Sequence, residues 1–383
     1  VSALEDLGPI RTRLARLGRT HTPADVADAM RAEGRVVSDS AVIDTLDLLH
    51  RHSVGAGPLE ALLAEPGVTD VLVNGADQVF VDRGRGLERT EVRFGSEAEV
   101  RRLAQRLAAS VGRRLDDAVP FVDARLADGS RVHAVLGTLA DPGTCISLRV
   151  PARRSFSLAD CVASGSLTPG AAELLTRVVE ARLAFLVSGG TGSGKTTLLA
   201  ALLALVPPRE RIVVVEDSRE LAPAHPHVVR MEGRPANSEL AGAVTLTDLV
   251  RQSLRMRPDR LVVGEVRGPE IADLLTAMNT GHEGGCGTVH ANSSADVPAR
   301  LEALAALGGL PRLAVHAQIA SALHASVHIT RDEQGRRRVS EISVFARDAA
   351  SGLTRTEQAV AFGPDGRTRL GPGSARLEQM LAR

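Results

Sequence analysis

The chain has 383 residues and no formal net charge, with 44% hydrophobic and 24% charged residues, the balance of a globular protein with room for two cores. Aromatic residues make up 2% of the chain and Trp and Tyr are absent, so the cores must rest on Leu, Val, Ala and Ile. Neither a stacking platform for single-stranded nucleic acid nor a general basic field for DNA, RNA or anionic lipid is expected.

Cys145, Cys161 and Cys286 are odd in number and far apart, which argues against a zinc module or disulfide framework and fits a reducing compartment. No apolar run is long enough to span a bilayer. The start Val1-Ser-Ala-Leu-Glu-Asp carries acids in place of the basic region of a secretory leader, and a cytoplasmic protein is expected.

Residues 1–55 carry apolar side chains at helical spacing, and Thr22-Pro23-Ala24-Asp25 reads as a helix start with Pro in the first turn. Residues 56–150 read as an α+β domain. Short strands are expected at 68–73 and 78–81 across the turn Asn74-Gly75-Ala76-Asp77, a helix at 96–111, and further strands near 121–126, 131–136 and 144–150. A linker follows at 151–158.

From 159 to 383 the pattern becomes α/β, with a continuous apolar strand at 183–188, a helix at 196–205, and buried strands at 212–215 and 261–263. A strand returns at 339–345, and the Arg/Gly-rich tail beyond it carries little signal. There is no internal repeat.

Gly189-Gly190-Thr191-Gly192-Ser193-Gly194-Lys195-Thr196 matches G-x-x-x-x-G-K-[ST] between a buried strand and a helix. Glycines let backbone N–H groups turn inward as an anion nest at a helix N-terminus, extending to Thr197. Lys195 then reaches the β and γ phosphates, and the Thr196 hydroxyl ligates Mg²⁺. Lys195 is the only lysine of the chain. A genome biased toward arginine explains the scarcity but not the location, and a compact ammonium fits between phosphate oxygens where a guanidinium fits poorly.

Leu261-Val-Val-Gly264-Glu265 is an apolar strand ending in an acid, expected beside the P-loop strand, where Glu265 would serve Mg²⁺ or the attacking water. Val213-Val-Val-Glu216-Asp217-Ser-Arg-Glu220 is a second such strand; Glu216, Asp217 and Glu220 are candidates for the catalytic acid group, Glu220 first as base. His282 and His290 flank a glycine-dense stretch, Gly281 to Gly287. Such a pair is more often core or surface than ligand, but the glycines suggest a loop that moves near the nucleotide as a γ-phosphate sensor. Arg125, Arg131 and Arg149 on first-domain strands, and Arg251, Arg255, Arg257 and Arg267 around the strand that ends in Glu265, are candidates to stabilise phosphoryl charge.

The set Val187-Ser-Gly-Gly-Thr-Gly-Ser-Gly-Lys-Thr-Thr, Glu216-Asp217, Leu254-Arg-Met-Arg-Pro-Asp-Arg-Leu-Val-Val-Gly-Glu-Val-Arg-Gly, Ala277-Met-Asn-Thr-Gly-His and Thr288-Val-His-Ala-Asn resembles the type II/type IV secretion ATPase superfamily. Within it, Gly57-Pro-Leu-Glu, Val71-Leu-Val-Asn-Gly, Gly112-Arg-Arg-Leu-Asp and Asp123-Ala-Arg-Leu-Ala-Asp-Gly-Ser-Arg-Val resemble the tight-adherence (Tad/Flp) pilus ATPases of the CpaF type. The similarity covers about residues 57 to 345.

That resemblance implies a RecA-like P-loop ATPase domain after a smaller α+β N-terminal domain and an N-terminal helical segment. It makes 216–220 the Asp box and 280–292 the His box, and brings Arg125, Arg131 and Arg149 over the nucleotide. It further implies a homo-hexamer that hydrolyses ATP with Mg²⁺, peripheral to the inner membrane, driving a platform protein of a pilus or secretion system. The stretch Gly284-Gly-Cys286-Gly departs from relatives, which commonly carry Ser or another small residue and Met there. Rival readings are a RecA-like nucleic-acid motor, disfavoured by charge and composition, and a nucleotide-gated scaffold with little turnover. An ABC transporter is disfavoured because no LSGGQ-like segment precedes Leu261.

Overall fold

A computed structural model of the chain describes residues 10, 13–14, 22–34, 37–38, 41–43, 45, 56–84, 86–151, 156–234, 236, 241–281, 283–332, 335–363 and 366–382. The chain divides into two compact units, Val1–Ala152 and Arg153–Arg383. Among the described residues no helix is long and apolar enough to cross a membrane.

In the first unit, α1 (Pro23–Ala32) starts as its sequence dictates. Thr22 Oγ1 accepts the Asp25 amide at 3.3 Å and the Asp25 carboxylate accepts the Thr22 amide at 2.8 Å, a reciprocal cap ahead of Pro23. Its buried face, Val26, Ala29 and Met30, packs on Ile10, Leu14 and Val42. Much of the expected 1–55 helical segment, and half of the 151–158 linker, lie outside the described residues.

The rest of this unit is an antiparallel sheet in the order β3-β2-β1-β6-β5-β4, with β1 Asp70–Asn74, β2 Gln78–Asp82, β3 Leu87–Arg89, β4 Phe121–Arg125, β5 Arg131–Val135 and β6 Cys145–Arg149. The short α2 (Glu60–Ala64) precedes it, and α3 (Glu97–Ser110) lies between β3 and β4 in sequence. Strand residues alternate in and out: Val71, Val73, Val79, Val81, Ile146 and Leu148 are buried with Val100, Leu103 and Leu107 of α3. One sheet face covered by one helix is the α+β domain expected.

The second unit is a sheet of 9 strands in the order β15-β14-β13-β12-β7-β11-β10-β8-β9. β7 (Phe185–Gly189), β8 (Ile212–Glu216), β9 (Val228–Glu232), β10 (Arg260–Val266), β11 (Cys286–His290) and β12 (Ala325–Arg331) run parallel. β13 (Arg337–Arg347), β14 (Thr354–Phe362) and β15 (Thr368–Leu370) extend the sheet as an antiparallel meander. The helices are α4 (Leu158–Ala163), α5 (Pro169–Glu180), α6 (Lys195–Leu203), α7 (Leu246–Ser253), α8 (Glu270–Asn279), α9 (Val297–Leu307), α10 (Arg312–Ala322) and α11 (Ser374–Leu381).

The central strands are buried on both faces, which explains their unbroken apolar sequences. Phe185, Val187, Val214 and Val262 face a core with Leu175, Leu199 and Leu377 of α5, α6 and α11. Ala184, Leu186, Val215, Leu261 and Val263 face the other, with Val250, Leu274, Leu301 and Ile319 of α7 to α10. Each fully buried Leu stabilises this helix–sheet–helix sandwich by about 1.5–3 kcal/mol.

One expectation is corrected. The acidic strand β10 is not beside the P-loop strand, because β11 is inserted between them, hydrogen-bonded to both. Of the glycines read as a loop near the nucleotide, Gly284, Gly285 and Gly287 are closely packed, whereas Gly281 has open space around it. A Cβ at Gly287 would come 2.6 Å from the Val263 carbonyl oxygen, at Gly285 2.8 Å from Met278 Cε, and at Gly284 2.2 Å from Arg260 Nη1. The tail beyond β13, where the sequence carries little signal, holds β14, β15 and α11.

Arg260 is the largest fully buried side chain, 2% exposed. Its Nε donates to Glu210 at 2.7 Å and its Nη2 to the Val179 carbonyl at 3.1 Å. Removing one partner of a buried pair strands the other charge. Arg260→Met should therefore lose about 3–5 kcal/mol in urea unfolding, with most of it recovered by adding Glu210→Met. Equal loss in the single and double variants would contradict this.

Candidate functional site

The P-loop joins the carboxyl end of β7 to α6, and its glycines are held where other residues would not go. Gly189, Gly192 and Gly194 have φ of 153°, 67° and 97°. A Cβ on Gly189 would lie 2.4 Å from the Ile329 carbonyl oxygen and 2.8 Å from Ser193 Oγ. Gly190, Thr191 and Thr197 are exposed, while Ser193 is buried and its hydroxyl has no hydrogen-bond partner.

Lys195 opens α6 and is 7% exposed. Its Nζ donates to the carbonyls of Gly189 at 3.0 Å and Gly190 at 2.8 Å, and stands 3.3 Å from His290 Nδ1. Burial pulls its pKa down, against the charge of Glu265. An ammonium held by neutral oxygens within a glycine loop, beside an unsatisfied buried hydroxyl, suits an incoming phosphate.

His290 closes β11 and bridges Lys195 to the acid of β10: its Nε2 lies 2.9 Å from Glu265 Oε1. Burial and then the Lys195 charge push its pKa down, against Glu265. A neutral ring carrying its proton on Nε2 satisfies both contacts, accepting from the ammonium and donating to the carboxylate. Lys195, His290 and Glu265 therefore form one hydrogen-bonded row across the ends of three strands. His282 lies outside the described residues.

Glu216 ends β8 and is 4% exposed. Its Oε1 accepts the amides of Glu220 at 3.0 Å and Leu221 at 2.8 Å, while Oε2 is buried with no partner. A Cβ at Gly264 would reach within 2.5 Å of Glu216 Cγ, so glycine before Glu265 makes room for the Glu216 side chain. Asp217 pairs with Arg267, and Glu220 is exposed. Thus Glu216 is the buried anchor of the segment that carries the exposed Glu220.

Magnesium would take hard oxygen donors, and the Thr196 hydroxyl and the Glu265 carboxylate are of that kind. Among the described residues no trio of His, Cys, Asp or Glu could hold a metal, so nucleotide oxygens and water would supply the other ligands.

In the first unit, Arg125 pairs in register with Arg131, and Arg131 with Arg149, across β4, β5 and β6. These three arginines share one row, where like charges directly opposite each other repel. Sequence reasoning missed Arg337, whose Nε donates to the Gly192 carbonyl at 2.9 Å, although 145 residues separate them. It also missed His328, whose Nδ1 stands 2.9 Å from Ser188 Oγ beneath the loop. The only signal was the arginine-dense stretch Arg336-Arg337-Arg338.

The α/β sandwich with this loop after its first central strand defines a RecA-like P-loop ATPase fold. A family model of type II/IV secretion system proteins matches residues 52–370, and the chain belongs to that family. It is 56% identical over 316 residues to the putative conjugal transfer protein Rv3659c of Mycobacterium tuberculosis, covering 81% of this chain and 90% of the relative. It is 35% identical over 259 residues to the type IV secretion system protein PtlH of Bordetella pertussis, covering 62% and 76%. In fold it is similar to the pilus retraction motor PilT with bound ADP, with a TM-score of 0.53 at 20% identity, covering 76% of this chain and 83% of that one.

Burial raises the Glu216 pKa to about 7 from an ordinary 4.5, opposed by the Leu221 and Glu220 amides and by Arg230. Between those values the folded chain holds a proton that the unfolded chain has released, so stability falls as pH rises. The full loss is on the order of 3 kcal/mol. Glu216→Gln should flatten this part of the profile, measured as urea midpoints from about pH 5 to about pH 8. An unchanged slope in the variant would contradict a buried, proton-binding Glu216.

Proposed function

We propose that this chain hydrolyses Mg-ATP as a homo-hexamer and drives assembly of a Tad/Flp-type pilus through an inner-membrane platform protein at the cytoplasmic face. The row Lys195–His290–Glu265 carries the reading, because it sets a buried cation, a neutral imidazole and a carboxylate where a P-loop nucleotide would present its terminal phosphate.

In this reading the amides of 190–196 and the Lys195 ammonium hold the phosphates, and Thr197 continues the helix start. Magnesium, held through Thr196 and Glu265, would neutralise charge between the β and γ phosphates. Glu220, its amide fixed by Glu216, orients water for in-line attack, while Asp217 steadies the same segment through Arg267. His290 senses the phosphate through Lys195, with His282 in the adjoining segment. Arg125, Arg131 and Arg149, in one register row across β4, β5 and β6, supply charge to the transition state. The names of the relatives, a conjugal transfer protein, a secretion protein and a pilus motor, support transport work at a membrane machine. The residue divisions 1–55, 56–150, 151–158 and 159–383 belong to the same proposal.

Phosphate release and light-scattering mass, measured together across protein concentration, test it. The expected result is a six-subunit mass with Mg-ATP analogue and specific activity rising with concentration. Lys195→Ala should abolish release, and Glu220→Gln should lower it about 10²-fold or more with nucleotide binding kept. A monomer with concentration-independent activity would overturn the hexamer, and full activity of Glu220→Gln would overturn its role as base.

A further inference from the structure

The carboxyl ends of the parallel strands carry the P-loop, and their amino ends carry a second concentration of charge. Arg182 lies just before β7, Arg209, Glu210 and Arg211 before β8, and Arg257 and Asp259 before β10. Together they line a cavity of about 500 Å³, within the size range of small-ligand sites. Five residues of β7 separate this end from the P-loop, about 17 Å at strand rise, so the cavity is distinct from the nucleotide site.

Its two acids are already engaged. Buried Glu210 takes Arg260 at 2.7 Å and Arg182 at 3.0 Å. Asp259 Oδ2 accepts the Arg211 amide at 2.7 Å, and the Asp259 carbonyl accepts Arg182 Nη2 at 3.1 Å. That leaves Arg209, Arg211 and Arg257 with no ion pair among the described residues. The Nε of Arg211 is buried with no acceptor among the described residues. Arg182 and Arg257 are also the two non-glycine residues with positive φ among the described residues, 53° and 54°. Such backbone persists only where its surroundings impose it.

We propose that this cavity binds a phosphate group, the anionic end of a soluble phosphate compound or of a phospholipid. Planar guanidinium forks converging from separate loops match a tetrahedral dianion accepting from several directions. The lining is polar or charged throughout, without the apolar pocket that anchors a bound peptide side chain. That favours a compact phosphate over an acidic peptide.

The test is calorimetric titration of the full chain with inorganic phosphate while Mg-AMP-PNP saturates the P-loop, on wild type and on Arg211→Gln/Arg257→Gln. Unchanged Mg-AMP-PNP affinity shows that the variant is folded, and exposed Arg209→Gln replaces it if it is not. Co-sedimentation with phosphatidylglycerol vesicles separates the sources. Phosphate binding in the millimolar range or tighter, weakened about tenfold in the variant, supports the site. Vesicle binding lost in the variant assigns a headgroup, and phosphate binding without vesicle binding assigns a soluble ligand. Binding of neither probe, equal binding by wild type and variant, or binding of polyglutamate alone would overturn the proposal.

Discussion

A single ammonium must be brought out of water and kept charged at the end of a buried strand, and much of the second unit is arranged around that requirement. Lys195 meets it with two carbonyls of the glycine loop and a neutral imidazole. The loop that supplies those carbonyls turns tightly, with Gly189, Gly192 and Gly194 at backbone angles that side chains rarely allow. The imidazole is in place only because β11 runs beside β7 and ends on His290. Charge, glycine pattern and strand order are thus parts of one solution.

Strand order then determines how the site spreads. Because β11 separates β7 from β10, Glu265 meets the P-loop through His290 rather than through a neighbouring strand. On the other side of β10, Glu216 fills the space above Gly264 and holds the Glu220 amide. Two acids on neighbouring strands therefore play different parts. Glu265 is partly exposed and paired with the histidine, whereas Glu216 is buried and works as a support. Gly264 on β10 and Gly287 on β11 act as spacers, leaving room for Glu216 and for the Val263 carbonyl.

The architecture was legible wherever burial leaves a simple pattern. Val213–Val215 and Leu261–Val263 read as strands buried on both faces, and the P-loop's position between strand and helix fixed its meaning. β11 was not legible as a strand because Cys286-Gly287-Thr288-Val289-His290 lacks an apolar run; it is narrow where Val263 approaches and polar where it meets the site. Arg337 was missed for another reason: nothing local in a sequence reports that a hairpin will fold back onto Gly192. The three first-unit arginines were named together as strand residues, but their shared row depends on register across strands joined by turns.

In the proposed function, phosphate at the loop is reported to β10 through His290. Labelling the histidine rings and following the His290 resonances by NMR across pH, with and without a non-hydrolysable Mg-ATP analogue, tests it most directly. Nucleotide should draw Lys195 onto the phosphates and bring negative charge near the ring, raising the His290 pKa from its depressed position. A His290 titration unaltered by saturating nucleotide would contradict the account.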